Sequence, residues 1–277
     1  MTSSFVDGLR ATLPRHAAVL DALSAAVAAD DRWRWLELGC SVAGGRGDEW
    51  SDLDLGIGAV TDDDGELPAG AAEALVRSLG PVTDLLVQPL PGRPRHRRIA
   101  AELASGVQVD LVMFPAADRP GLPPGSVALV DKDGRLATPW RPDAIGTPPA
   151  EQLREWAFLG WWALSDVAKY LARGATFEAA DRIAEARRLA LQLHAAAQGV
   201  DYPLFGLTAL LDAPEPVVPM WLEESYSVAE PEPLRAAAHA TARLLHDATI
   251  AVELGLGLDL DIALRGAVVR RLAAPNP

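Results

Sequence analysis

The sequence predicts an α+β protein, with a sheet flanked by helices in the N-terminal half and a helical bundle after it. Three observations predict this. Short apolar runs with turn signals recur between residues 33 and 137. Long Ala- and Leu-rich runs with helical spacing dominate after residue 150. A Pro-rich stretch, PWRPDAIGTPPA, lies between the two regions, and the domains are placed at 1–140 and 150–277.

The elements follow in order. Residues 5–29 space their apolar side chains at helical intervals, and WRWLEL at 33–38 reads as a strand. A loop of small residues comes next, Gly39-Cys40-Ser41-Val42-Ala43-Gly44-Gly45-Arg46-Gly47. The segment Ser51-Asp52-Leu53-Asp54-Leu55-Gly56-Ile57 alternates acidic and apolar residues as a strand does. Residues 68–79 predict a helix with Pro68 near its start and Gly80 past its end. A strand is expected at 82–90. The basic run RPRHRR at 93–98 reads as a solvated connection. Residues 99–103 and 107–114 flank Ser105-Gly106, a two-residue hairpin turn, and 127–137 resembles a second hairpin turning at Asp133-Gly134. Helices are expected at about 150–173, 176–198 and 232–254.

With 277 residues, 49% of them apolar, the chain is long enough to bury a sizeable core. Its one cysteine, Cys40, forms no internal disulfide, which suits a reducing compartment. No apolar run reaches the roughly 18–20 residues of a membrane span. The first residues lack the basic-then-apolar order of a secretory signal, so a cytoplasmic location is expected. The formal charge of −13 repels phosphate backbones and argues against a long nucleic acid as partner, while it attracts small cations.

The chemistry gathers around three aspartates. Asp52 and Asp54 are two apart on a predicted strand, so both project from one face. Asp110 stands alone in the apolar run Val109-Asp110-Leu111-Val112. A carboxylate there needs a partner, either a metal ion or an arginine such as Arg97 or Arg98. If its strand shares the sheet, three carboxylates converge. Such oxygen clusters suit Mg²⁺, which takes one or two carboxylates together with phosphate oxygens and water. Two ions about 3.5–4 Å apart can clamp an in-line displacement at phosphorus. The preceding loop of small residues lets backbone N–H groups approach phosphates, with the Ser41 hydroxyl as a further donor.

The run Gly39-Cys40-Ser41-Val42-Ala43-Gly44-Gly45, followed by Asp52-Leu53-Asp54, resembles the signature of the DNA polymerase beta-type nucleotidyltransferase superfamily, which is Gly-Ser, a spacer, and Asp-x-Asp. Asp110 matches the third acid of that signature. Within the superfamily the chain is most similar to the small two-domain antibiotic nucleotidyltransferases, in which a helical domain follows the catalytic one. Aligning Ser41 with the motif serine puts Cys40 where the family has glycine.

The resemblance implies a mixed-sheet catalytic domain at 1–140 and a helical substrate-binding domain at 150–277. It implies Asp52, Asp54 and Asp110 as catalytic and metal-binding residues. Mg²⁺, as two ions, would be the cofactor, and ATP or another nucleoside triphosphate the co-substrate. Gly39, Ser41, Arg46 and Lys169 would contact the nucleotide. The acceptor would be a small hydroxyl compound, cationic and aminoglycoside-like, with antibiotic resistance as the role. Two other functions compete: transfer of a nucleotide to a protein, and nucleotide binding without catalysis.

Other residues carry weaker expectations. Trp156, Trp161, Trp162 and Tyr170 sit at helical spacing, which points to core first and to stacking on a ligand second. Glu223 and Glu224 read as a solvated loop that could also meet a cationic acceptor. His194, His239 and His246 lie on helices without a metal-ligand pattern.

Overall fold

A computed structural model describes residues 2–62, 65–90, 93–119, 121–140, 148–200, 202–213 and 215–273. The central part of the Pro-rich connector, 141–147, lies outside them. The chain divides into two compact units, Met1–Ala144 and Ile145–Pro277.

The first unit is built on a six-stranded mixed sheet. Its strands are β1 (Trp33–Leu38), β2 (Leu53–Ala59), β3 (Val82–Leu90), β4 (Arg93–Leu103), β5 (Gln108–Pro115) and β6 (Val127–Asp131). Their spatial order is β3-β4-β5-β2-β1-β6. The central pair, β2 and β5, is parallel, and every other pair is antiparallel.

Period-2 alternation divides the sheet into two faces. Leu53, Leu55 and Ile57 of β2 and Val109, Leu111 and Met113 of β5 point into one core. That core also holds Leu20, Leu23 and Val27 of α2 (Pro14–Ala29) and Leu75 and Val76 of α4 (Ala69–Ser78). The intervening residues Asp54, Gly56 and Gly58, with Asp110, Val112 and Phe114 opposite them, belong to the other face. Buried apolar area on the first face supplies the main stabilisation, about 25 cal/mol per Å². The second face carries the acids at one end of β2 and an aromatic layer around Trp35 and Phe114 at the other.

The sequence reading needs four corrections of detail. The helix expected at 5–29 is two helices, α1 (Thr2–Thr12) and α2, because Pro14 has no N–H to continue the first and suits the start of the second. The basic run at 93–98 is not a connection but the first half of β4, paired with β3 and in part with β5. The hairpin at 127–137 has only its first arm as a strand. β6 pairs with β1 instead, and the Asp131 carboxylate accepts from the backbone N–H groups of Arg135 and Leu136 to close a tight turn. The Asp-x-Asp strand begins at Leu53, so Asp52 stands at its threshold. The Ser105-Gly106 turn is present, with Gly106 at φ +81° and Leu103 N–H bonded to Val107 C=O at 3.0 Å.

The second unit is helical: α5 (Ala150–Ala172), α6 (Thr176–Ala197), α7 (Leu207–Asp212), α8 (Pro231–Leu256) and α9 (Leu264–Ala273). Its core packs Trp156, Trp161 and Leu164 of α5 against Leu189 and Leu193 of α6 and Leu245 and Val252 of α8. Thus Trp156 and Trp161 are core residues, whereas Trp162 is exposed and stacks on Phe158. No helix among the described residues is long and apolar enough to cross a membrane.

Candidate active site

The parallel pairing of β2 and β5 sets Asp54 directly beside Asp110. Asp52, two residues before Asp54, joins them from the threshold of β2. Each of the three carboxylates places an oxygen within 4.8 Å of the others. The apolar neighbours Leu53, Leu55, Val109 and Leu111 anchor the two strands in the core and fix this register, since a one-residue slip would turn the acids inward.

The small-residue loop is docked onto the same strand. Gly39 N–H donates to Asp54 C=O at 2.8 Å, and residues Cys40–Ala43 form a single helical turn, α3. Cys40 sits at φ +54°, the left-handed region that favours glycine, so the position that the motif gives to glycine keeps a glycine-like backbone here. Ser41 is half-buried within this turn, and Arg46 is exposed, with its backbone N–H bonded to Ser41 C=O at 2.9 Å.

Electrostatics follow from the crowding. Asp54 is pushed up to about 6, chiefly by burial and then by the charge of Asp52. A hydrogen bond from the Cys40 side chain opposes this shift, Asp110 adds to it, and Arg98 opposes it.

Arg98, which the sequence placed in a solvated run, reaches the cluster from β4. Its Nε donates to Asp110 Oδ1 at 2.7 Å and its terminal nitrogen to Oδ2 at 2.6 Å. This is a bidentate fork of the strong, charge-assisted kind. Of the partners weighed for Asp110, the arginine is therefore present, and the acid cluster it stands in has the donor set for the other, a metal ion. Arg97 instead faces Glu66 at 3.6 Å. Of the two arginines considered for Asp110, the β4–β5 pairing selects Arg98.

Beside the cluster lies a groove of about 560 Å³ on the β3–β4–β5 part of the sheet. Asp52, Asp110, Asp84 and Glu102 line it, with Arg98 among its walls, so its charge is mainly negative.

A second polar group on this face went unread in the sequence. The Glu37 carboxylate of β1 accepts a bidentate pair from Arg119, and both residues are buried. The Arg119 guanidinium lies 5.2–5.8 Å from the rings of Trp35, Phe114 and Trp140. Gly56 and Gly58 of β2 make room for this layer. A Cβ on Gly56 would stand 2.5 Å from the Glu37 carboxylate, and one on Gly58 would stand 2.1 Å from the Trp35 indole.

Lys169 lies on α5 of the second unit, where it pairs with Asp166 at 2.6 Å and lies 4.5 Å from the ring centre of Tyr170. Glu223 and Glu224 occupy an exposed 3-10 turn.

The donor set suits a hard divalent cation, because the three side chains that converge are all carboxylates. With one guanidinium among them, the cluster keeps a net negative charge when ionised.

No protein-family profile matches the sequence, and no curated protein sequence matches it significantly. Among solved structures the chain is similar to an aminoglycoside 6-adenyltransferase from Bacillus subtilis, at 16% identity and a TM-score of 0.40, covering 92% of this chain and 95% of that one. At that distance the likeness carries neither a residue role nor a substrate to this chain.

Proposed function

We propose that this chain is a Mg²⁺-dependent nucleotidyltransferase. It would move a nucleoside monophosphate, AMP from ATP in the first instance, onto a hydroxyl of a small cationic acceptor of the aminoglycoside kind, with inactivation of such antibiotics as its role. The convergence of Asp52, Asp54 and Asp110 beside the groove carries this reading.

In this reading Asp52 and Asp54 would hold Mg²⁺, with Asp110 within 4.8 Å of both. When bound, the metal would neutralise triphosphate charge and ease deprotonation of the acceptor hydroxyl. The loop at Gly39, Cys40 and Ser41 supports the phosphates through backbone N–H groups and the Ser41 hydroxyl, with Arg46 as a further contact. Asp110 orients the acceptor hydroxyl in the groove and takes its proton. The hydroxyl oxygen bonds to the α-phosphorus, the bond to the β-phosphate oxygen breaks, and pyrophosphate leaves. Asp84 and Glu102 favour a cationic acceptor at the groove wall. The unit 1–140 supplies catalysis and the helical unit 150–277 a share of substrate binding.

The test is mass spectrometry after incubation with Mg-ATP and a panel of cationic hydroxyl compounds. A nucleotide mass on one of them, absent with Asp54→Asn, supports the reading. A nucleotide on a protein instead would redirect the acceptor class, and no transfer with any acceptor would leave a binding module.

A further inference from the structure

We propose that Arg98 is a built-in counter-cation that ties up Asp110 in the nucleotide-free protein and limits the carboxylate cluster to one divalent ion, held by Asp52 and Asp54. The inference rests on the metal-binding reading above and refines it.

Three observations carry it. First, both oxygens of Asp110 are engaged by one guanidinium, at 2.7 and 2.6 Å. A carboxylate held by a fork at both oxygens offers a metal ion only its remaining lone pairs, and does so beside the repelling charge of the guanidinium. Second, Arg98 is placed by the sheet itself. It opposes Val112 in the β4–β5 register, and Ala100, two residues on, opposes Asp110, so the fork spans a diagonal on one face. Third, Arg98 acts electrostatically on all three acids, Asp52 and Asp54 included. A second ion would therefore meet a fixed positive charge and a weakened ligand in Asp110. Asp52 and Asp54 carry no such fork, so they make the first site.

Arg98 is thus a positioning residue. It keeps Asp110 oriented toward the groove and makes a second ion depend on the added negative charge of a bound triphosphate.

The test is titration of the nucleotide-free full chain with Mn²⁺, with free ion followed by electron paramagnetic resonance. The wild type is expected to take one ion. Arg98→Met frees Asp110, so the affinity should rise about tenfold or more, or a second ion should appear. In Arg98→Met/Asp110→Asn the neutral pair replaces the ion pair at unchanged net charge. That variant is expected to keep one ion within about threefold of the wild-type affinity.

Two comparable ions in the wild type would overturn the proposal. So would an Arg98→Met variant indistinguishable from wild type, or a more than tenfold loss in the double variant, which would make Asp110 a ligand of the free protein. Circular dichroism checks folding, and Arg98→Gln replaces the methionine variant if that one does not fold. No Mn²⁺ on folded wild type would sink the metal site itself, an outcome distinct from a metal site that ignores Arg98.

Discussion

Asp54 and Asp110 are direct neighbours across the parallel β2–β5 pair, and this single register relationship converts two distant stretches of sequence into one acidic cluster. The cost of that closeness is visible at Asp54, whose proton is held up to about pH 6 by burial and by the charge of Asp52.

The sign of the resulting pH dependence follows. An aspartate ordinarily near 3.8 but near 6 in the folded chain binds its proton more tightly when folded. Its ionisation therefore destabilises the metal-free protein, by on the order of 3 kcal/mol above about pH 6, and the penalty vanishes below about pH 4. Asp54→Asn should raise the urea midpoint of the metal-free protein at about pH 7.5 and bring little change at about pH 4. Mg²⁺ should raise the midpoint of the wild type and not that of the variant. Equal midpoints for the two proteins at the higher pH would contradict this.

The backbone of Cys40 yields a second expectation. Held at φ +54°, a cysteine bears part of the 1–2 kcal/mol cost of the left-handed region, which glycine escapes, while glycine adds chain entropy when unfolded. Cys40→Gly should therefore be neutral to stabilising, by up to about 1 kcal/mol, and should bind nucleoside triphosphate at least as well as wild type. Thermal unfolding and calorimetry check this. A clear loss of stability would show that the thiol's bond to Asp54 matters more than the backbone conformation.

Further along β2, on the same face as the acids, the layer around Trp35 has little tolerance for bulk. Gly58→Ala puts a methyl 2.1 Å from the Trp35 indole, which must move. A destabilisation of about 1–3 kcal/mol or more is expected from denaturant unfolding. A neutral result would mean that Trp35 moves at no cost.

The buried Glu37–Arg119 pair should behave asymmetrically. Arg119→Met leaves a buried carboxylate uncompensated and should cost about 3–5 kcal/mol, whereas Glu37→Met/Arg119→Met should recover much of that loss. A double-mutant cycle in denaturant measures it. Additive losses would show that the two side chains do not depend on each other.

Much of the fold was legible because its signals are local. The three long helices announced themselves by apolar spacing, and the β4–β5 hairpin by Ser105-Gly106. Asp52-Leu53-Asp54 and the lone Asp110 stood out because acids in apolar strands need a reason. What escaped depends on neighbours that only folding brings together. Arg97 and Arg98 were equal candidates for Asp110 within a run read as a solvated connection, and only the register of β4 decides for Arg98. Glu37 and Arg119 drew no reading, because only the fold brings them together beside Trp35 and Phe114. The second arm at 132–137 failed as a strand because β1 already offered β6 a partner and Asp131 closed the chain into a turn.

The most direct measurement is calorimetry of nucleoside triphosphate binding with and without Mg²⁺, on wild type and on Asp52→Asn/Asp54→Asn. The account predicts binding by the wild type that requires Mg²⁺, and its loss in the folded double variant. Metal-independent binding, binding retained by the double variant, or no binding by folded wild type across the common nucleotides would contradict it.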